Sequence, residues 1–182
     1  MKYLTRELND EHALITLMLE ILTKVAAKLK KGDDVDKSHL VKIVNFLIVY
    51  ADRCHHGKEE HILFPKIPLS KKNNKLVTEL IAEHKTGRDY VRGMKESLSN
   101  YAPGNSDAVH IAINAQEYIK LLTEHIGKEG IILFPIADKK IPKKVQKKLI
   151  KRFAVVEKNI LGEKKLKKIM MFLDMLKEEY LN

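Results

Sequence analysis

Apolar residues recur at alternating spacings of three and four along four segments of the chain, which is the period of an amphipathic α-helix. Gly32 is a candidate C-terminal cap of the first segment, and Pro65 and Pro135 end the second and fourth because proline does not continue a helix. Ser106 and Asp107 are candidate N-terminal caps of the fourth segment. The predicted helices span about residues 3–30, 36–63, 73–100 and 106–135. Long helices joined by short connections predict an all-α fold, an up-down-up-down four-helix bundle.

Two further helices are predicted after the bundle, over about residues 143–160 and 163–181. Their apolar residues also recur at helical spacing, so we expect both helices to pack on the bundle. The chain is therefore divided into a four-helix bundle over residues 1–138 and a helical C-terminal extension over residues 139–182.

The positive charge is concentrated in the C-terminal extension. The chain has a formal net charge of +10, and residues 139–182 contain 14 Lys and Arg against 5 Asp and Glu. Such a segment could attract nucleic acid or an acidic membrane surface. Its aromatic residues are few, only Phe153, Phe172 and Tyr180, and base stacking needs aromatic side chains. We favour solvated faces of amphipathic helices and expect neither nucleic acid nor a membrane as partner.

Composition excludes several classes of protein. The 182 residues are 45% hydrophobic and 32% charged, which is typical of a globular protein. No apolar run is long enough to cross a membrane, and the first residues lack the apolar segment of a secretory signal. The single cysteine, Cys54, cannot form an internal disulfide, and this favours a cytoplasmic location. No glycine-rich nucleotide-binding motif occurs.

One motif occurs twice in the chain. Residues 55–65 (HHGKEEHILFP) align without a gap with residues 125–135 (HIGKEGIILFP). A Glu-His pair precedes each copy, Glu11-His12 before the first and Glu83-His84 before the second. The bundle is therefore predicted to consist of two helix pairs that carry the same polar residues.

The repeat indicates which histidine of the His55-His56 pair faces inward. Both His55 and His56 have a glutamate four residues later, but the alignment places His55 on His125 and Glu59 on Glu129. The apolar stripe of the second helix also includes His55. We therefore expect His55 and Glu59 to point into the bundle, and His56 and Glu60 to lie outside it or behind the inward residues.

Four histidines and two glutamates thus fall on the apolar faces of the four helices. A single histidine on such a face is more often a satisfied core residue, but six buried polar groups without partners would cost several kcal/mol. A bound metal resolves this cost, because ionised carboxylates and neutral imidazoles are its ligands. The two-fold repeat suggests two ions, each held by two histidines and bridged by both glutamates. Histidine and carboxylate ligands favour iron, with manganese and zinc as competitors.

At these residues the sequence resembles the hemerythrin-like (HHE cation-binding) family, over about residues 5–138. The resemblance rests on the two Glu-His pairs, the two H-x-x-x-E motifs and the two Leu-Phe-Pro sequences that follow them. It implies a four-helix bundle around a non-haem di-iron centre with bridging carboxylates and an oxo or hydroxo bridge. The ligands that it implies are His12, His55, Glu59, His84, His125 and Glu129.

The sequence departs from the oxygen-carrying members of the family at one position. Those proteins have a second histidine one turn after the first on the third helix, and here that position is Arg88. Four histidines, as in bacterial and archaeal relatives linked to nitric oxide or oxidative stress, argue against simple reversible oxygen carriage. Gly87 on the inward stripe either leaves room for a diatomic ligand or allows close helix packing. Tyr118 and Cys54 are expected to be buried packing residues.

Two functions are consistent with this pattern. The first is a di-iron protein that binds or reacts with O2, NO or peroxide, with an electron-donor protein as a candidate partner. No general acid or pocket for an organic substrate is identifiable from the residues, and both turnover and binding alone are left open. The second is an iron or oxygen sensor, or a metal-storage module, that signals through the basic extension.

Overall fold

The computed structural model describes residues 4–68 and 70–182, and these residues form helices and no β-strand. The predicted start of the first helix near residue 3 lies outside the described residues, and the described helix begins at Arg6. The α-helices are α1 (Arg6–Lys31), α2 (Lys37–Phe46), α3 (Lys71–Ser97), α4 (Ser106–Lys128), α5 (Phe134–Lys140), α6 (Lys143–Ile160) and α7 (Gly162–Leu181).

Two of the bundle helices continue beyond their α-helical part with π-helical turns, in which the backbone hydrogen bonds run from residue i to i+5. α2 continues through the π-helical segments Leu47–His56 and Glu59–Leu63 and a 3-10 turn at Phe64–Lys66. α4 continues through the π-helical segment Glu129–Leu133 into α5. Both copies of the repeated motif therefore include π-helical turns, which the spacing of apolar residues did not predict.

The all-α prediction is confirmed, and the two helices of the extension pack on the bundle. One core cluster joins the middle of the bundle to Leu173 and Leu176 of α7. A second cluster, at the end of the bundle that holds both Leu-Phe-Pro sequences, includes Leu149 and Phe153 of α6. Among the described helices, none combines the length and hydropathy of a membrane-spanning segment.

The helix ends confirm one predicted cap and correct two other predictions. Gly32 has φ 80°, and its N–H donates to the carbonyl of Leu29, as expected for a left-handed C-terminal cap. Asn105, not Ser106 or Asp107, caps α4, because its side chain accepts a hydrogen bond from the N–H of Ala108 at 2.9 Å.

Pro135 does not end the fourth helix. It lies in the first turn of α5, which continues to Lys140. The missing N–H of a proline needs no partner in the first turn of a helix, so the residue is compatible with this position.

Candidate metal centre

Seven buried histidine and glutamate side chains from four helices meet inside the bundle. They form two overlapping groups that share Glu59, and within each group one ligand atom from every residue lies within 4.8 Å of the others. All six of the residues predicted to face inward belong to these groups, together with one that was not predicted, His56. The groups are His12, His55, Glu59 and Glu129, and His56, Glu59, His84 and His125.

Each glutamate of the cluster lies between one histidine from each half of the repeat. Glu59 faces Nε2 of His55 at 3.3 Å and Nε2 of His84 at 3.6 Å. Glu129 faces Nε2 of His12 at 3.2 Å and Nε2 of His125 at 3.3 Å. Glu59 faces its two histidines with different oxygens, whereas Glu129 faces both with Oε2 and leaves Oε1 without a partner.

The polar atoms at the centre of the cluster lack hydrogen-bond partners. Both carboxylate oxygens of Glu59 and of Glu129 are buried and unpartnered, as are Nε2 of His12 and His55 and both ring nitrogens of His56. Burying so many polar atoms without partners is expensive. All of them are lone-pair donors of the kind that iron, zinc and manganese bind, so the residues present fit a metal centre.

The contact between His84 and His125 also requires a positive charge. Their Nε2 atoms lie 2.9 Å apart, while Nδ1 of His84 donates to Glu60 at 2.7 Å and Nδ1 of His125 donates to Glu83 at 2.9 Å. With the proton of each neutral ring on Nδ1, both Nε2 atoms would present lone pairs to each other. A metal ion bound by both lone pairs would supply the positive charge that this contact lacks.

Carboxylates behind the cluster fix the orientation of the imidazoles, as ligand histidines commonly require. Glu11 accepts from Nδ1 of His55 at 2.8 Å, in the same way that Glu83 accepts from His125. The glutamates of the two Glu-His pairs thus orient the rings of His55 and His125. Glu60 was predicted to lie either outside the bundle or behind the inward residues. The second alternative is confirmed, since Glu60 lies behind His84.

Lysines from the repeated motif hold these carboxylates in turn. Nζ of Lys58 contacts Glu11, donates to Glu7 at 2.7 Å and lies 3.4 Å from Glu157 of α6. Its side chain is fully buried, and Nζ lies 6.0 Å from the ring centroid of Phe153. α6 therefore covers the support of His55.

The second copy of the motif has the same lysine–carboxylate arrangement without this cover. Nζ of Lys128 contacts Glu83 and donates to Glu79 at 2.7 Å. The Lys128 side chain is 28% exposed, and both ion-pair partners that it has among the described residues belong to α3. The extension thus makes the two halves of an otherwise symmetric site unequal.

The charges of the cluster favour bound cations. Burial lowers the pKa of His55, but the negative charges of Glu59 and Glu11 and the hydrogen bond to Glu11 outweigh burial and raise it to about 10. Burial also lowers the pKa of His125, but the negative charge of Glu129 and the hydrogen bond to Glu83 outweigh burial and raise it to about 9. These carboxylates hold protons on the two imidazoles, and a metal ion that binds the imidazoles would displace those protons.

His56 corrects the sequence prediction, which placed it outside the bundle or behind the ligands. It is 3% exposed, and its ring stacks on His84 with centroids 3.8 Å apart. The π-helical segment Leu47–His56 explains the difference, because a π turn inserts a residue relative to α-helical spacing and brings His55 and His56 onto the same side. Burial and the nearby histidines keep the pKa of His56 well below its usual range.

A cavity of about 260 Å³ adjoins the cluster on the side of His56 and His84. Gly87 and Tyr118 line it. A Cβ at Gly87 would lie 3.4 Å from the ring of Tyr118 and 3.5 Å from Leu122, which is ordinary van der Waals contact. Helix packing therefore does not require a glycine here, whereas Gly87 does border the open space.

The other residues singled out from the sequence have simpler environments. Cys54 is buried, and burial raises the pKa of its thiol to about 12. His61 and His110 are exposed, whereas His39 is partly buried and its Nδ1 lies 2.9 Å from the hydroxyl of Tyr180.

Comparison with protein families matches residues 3–137 to the hemerythrin HHE cation-binding domain. Searches of curated proteins and of solved structures found no significant match. The match covers the four bundle helices and every residue of the cluster, and it ends where the extension begins.

Proposed function

The chain belongs to the hemerythrin HHE cation-binding family, and from this we propose that it is a non-haem di-iron protein that binds or reacts with a small ligand such as O2, NO or peroxide. His12, His55, Glu59, His84, His125 and Glu129 would hold the two ions, with His56 as a seventh ligand. Bound iron would supply a redox-active centre with a coordination position for the ligand. The two glutamates, each between histidines of the two halves, would bridge the ions.

One observation supports this proposal more strongly than the other observations do. The central nitrogen and oxygen atoms of the cluster are buried and lack hydrogen-bond partners, although carboxylates orient the outer nitrogens of three of the rings. A side-chain network built only for stability would satisfy its inner atoms as well as its outer ones. An inner set of unpartnered nitrogen and oxygen atoms supports metal binding as the purpose of the arrangement.

The cavity beside His56 and His84 supports an open position at one end of the centre. The Arg88 side chain, at the position where oxygen carriers have a further histidine, donates from Nε to Asp52 at 2.8 Å and contacts Glu60. Arg88 also lines the cavity, and these two carboxylates, not a residue of the cluster, hold its guanidinium group.

The proposal is tested by metal analysis of the purified chain with absorption spectra before and after oxidation. We expect about two iron ions per chain, near-ultraviolet bands that return on exposure to O2, and a spectral change with NO or peroxide. His55→Ala should lose iron, and His61→Ala, which changes an exposed histidine, should not. A well-folded chain that takes only zinc, or whose iron content is the same in both variants, would overturn the proposal.

A metal-dependent sensor is a second candidate, and the Lys58 network favours it. Glu157 of α6 lies 3.4 Å from Lys58, which holds Glu11 behind His55, so a change at the metal can reach the basic extension. Hydrogen exchange with and without iron tests this function. A sensor requires a change in protection within residues 143–160 that exceeds any change in α3, whereas equal protection in both states excludes it.

A further inference from the structure

The cavity beside the metal centre is larger than a diatomic ligand needs. Its volume is about 260 Å³, whereas an engineered apolar cavity of about 150 Å³ binds benzene and one water occupies about 30 Å³. We propose that this cavity binds a small monocarboxylic acid with a compact apolar body of about six to eight carbons. The inference rests on the proposed function for the role of this ligand, but the chain's own side chains form the site.

The wall of the cavity consists of one face of α3. Its lining residues on this helix follow helical spacing from His84 to Lys95, a distance of about 16 Å along the axis at 1.5 Å per residue. Leu47 and Ile48 of the π-helical segment and Val91 of α3 supply apolar surface. The site is therefore an elongated apolar slot and suits an alkyl or aryl group.

The two ends of the slot differ in chemistry. At the buried end neither ring nitrogen of His56 has a hydrogen bond, although Nδ1 lies 3.5 Å from Oδ1 of Asp52, which also lines the slot. The stacked ring of His84 lies beside His56. At the exposed end are Arg92 and Lys95. Arg92 contacts Asp89, whereas Lys95 forms no ion pair with another residue that the structure describes.

This polarity sets the expected orientation of the ligand. An unneutralised ammonium group at the exposed end attracts a carboxylate, and the apolar body then lies between Val91 and Ile48 and points toward His56 and His84. An inorganic anion would leave the apolar walls without contacts, and a neutral molecule would leave Lys95 without a counter-charge.

The test is titration calorimetry of the full-length chain, iron-loaded and iron-free, with hexanoate and benzoate as probes. Formate and benzamide serve as controls that lack the apolar body and the charge, respectively. Val91→Phe fills the slot and should weaken hexanoate binding by at least about tenfold. Lys95→Glu reverses the charge at the exposed end and should weaken it by about threefold or more at low salt. Lys85→Glu makes the same charge change on α3 outside the cavity and should have no effect.

The results distinguish the possible outcomes. Saturable binding of both acids, weakened by Lys95→Glu but not by Lys85→Glu, supports the proposal even if Val91→Phe does not fold. It is overturned if neither acid binds, if formate binds as tightly as hexanoate, or if the two charge variants behave alike. Iron and NO binding are measured on the same samples. If the chain binds iron and NO but neither acid, only this inference is refuted. If the chain binds the acids but takes no iron, only the proposed function is refuted.

Discussion

Replacing Lys58 by methionine should destabilise the chain far more than the same replacement at Lys128, although the two lysines occupy equivalent positions of the repeat. Lys58 is fully buried among three carboxylates, and Lys128 is 28% exposed. Removing one partner of a buried ion pair costs about 3–5 kcal/mol, because the remaining charge stays buried. Exposed pairs contribute about 1 kcal/mol or less.

The lower end of that range applies to Lys58. Glu11 keeps its hydrogen bond with His55 in the variant, and the partly exposed Glu7 and Glu157 can turn to water. Methionine also preserves apolar contact near Phe153. We therefore expect Lys58→Met to lower the free energy of unfolding by about 3 kcal/mol and Lys128→Met by about 1 kcal/mol at most.

Urea unfolding followed by circular dichroism measures both losses. The samples contain a chelator, because metal bound to the folded state would add its own stabilisation. Repeating the measurement at 1 M salt should reduce the small Lys128 effect and leave the Lys58 effect nearly unchanged, since buried pairs are poorly screened. Equal losses in the two variants, or a larger loss for Lys128→Met, would refute the argument that α6 turns one lysine into a buried structural residue.

Three further predictions concern the site. His56→Ala should weaken binding of one of the two ions by at least about tenfold in a metal titration, as His84→Ala should, and unchanged affinity would exclude His56 as a ligand. Metal loading at pH 7 should release about two protons per chain into a weakly buffered solution, because the pKa values of His55 and His125 are raised to about 10 and 9. Metal affinity should then rise with pH up to about pH 10, where His55 loses its proton, and a pH-independent affinity would contradict this. Cys54, whose pKa is raised to about 12 by burial, should not react with a thiol reagent at pH 8 until the chain is unfolded, and reaction in the native state would contradict its buried position.

The sequence predicted the bundle and six of the seven cluster residues because both depend on ordinary helical spacing. His12 and His84 lie on regular α-helices, α1 and α3, where apolar periodicity shows which side faces inward. For the H-x-x-x-E motifs the internal repeat supplied independent support, since the same residues recur at the same spacing. Spacing and repetition together were sufficient where the backbone is regular.

His56 was missed because its backbone is not regular. Periodicity assumes about 100° of rotation per residue, and the π-helical segment Leu47–His56 departs from it. The sequence did contain a sign of this difference. The first copy of the motif begins with two histidines, His55 and His56, whereas the second copy begins with His125 and Ile126. The cavity could not be predicted, because it depends on how α3 packs against that π-helical segment.

The two halves of the repeat share their motif but differ in what covers them. On one side α6 closes over Lys58, whose carboxylate partner holds His55. On the other side the equivalent lysine is exposed, His56 adds a further nitrogen, and the cavity reaches His84. Closed metal sites serve structure, and sites with an open position serve chemistry. Under the proposed function we therefore expect the ion between His12 and His55 to be the one that exchanges slowly, and the ion beside His84 and His125 to be the one that meets the small ligand.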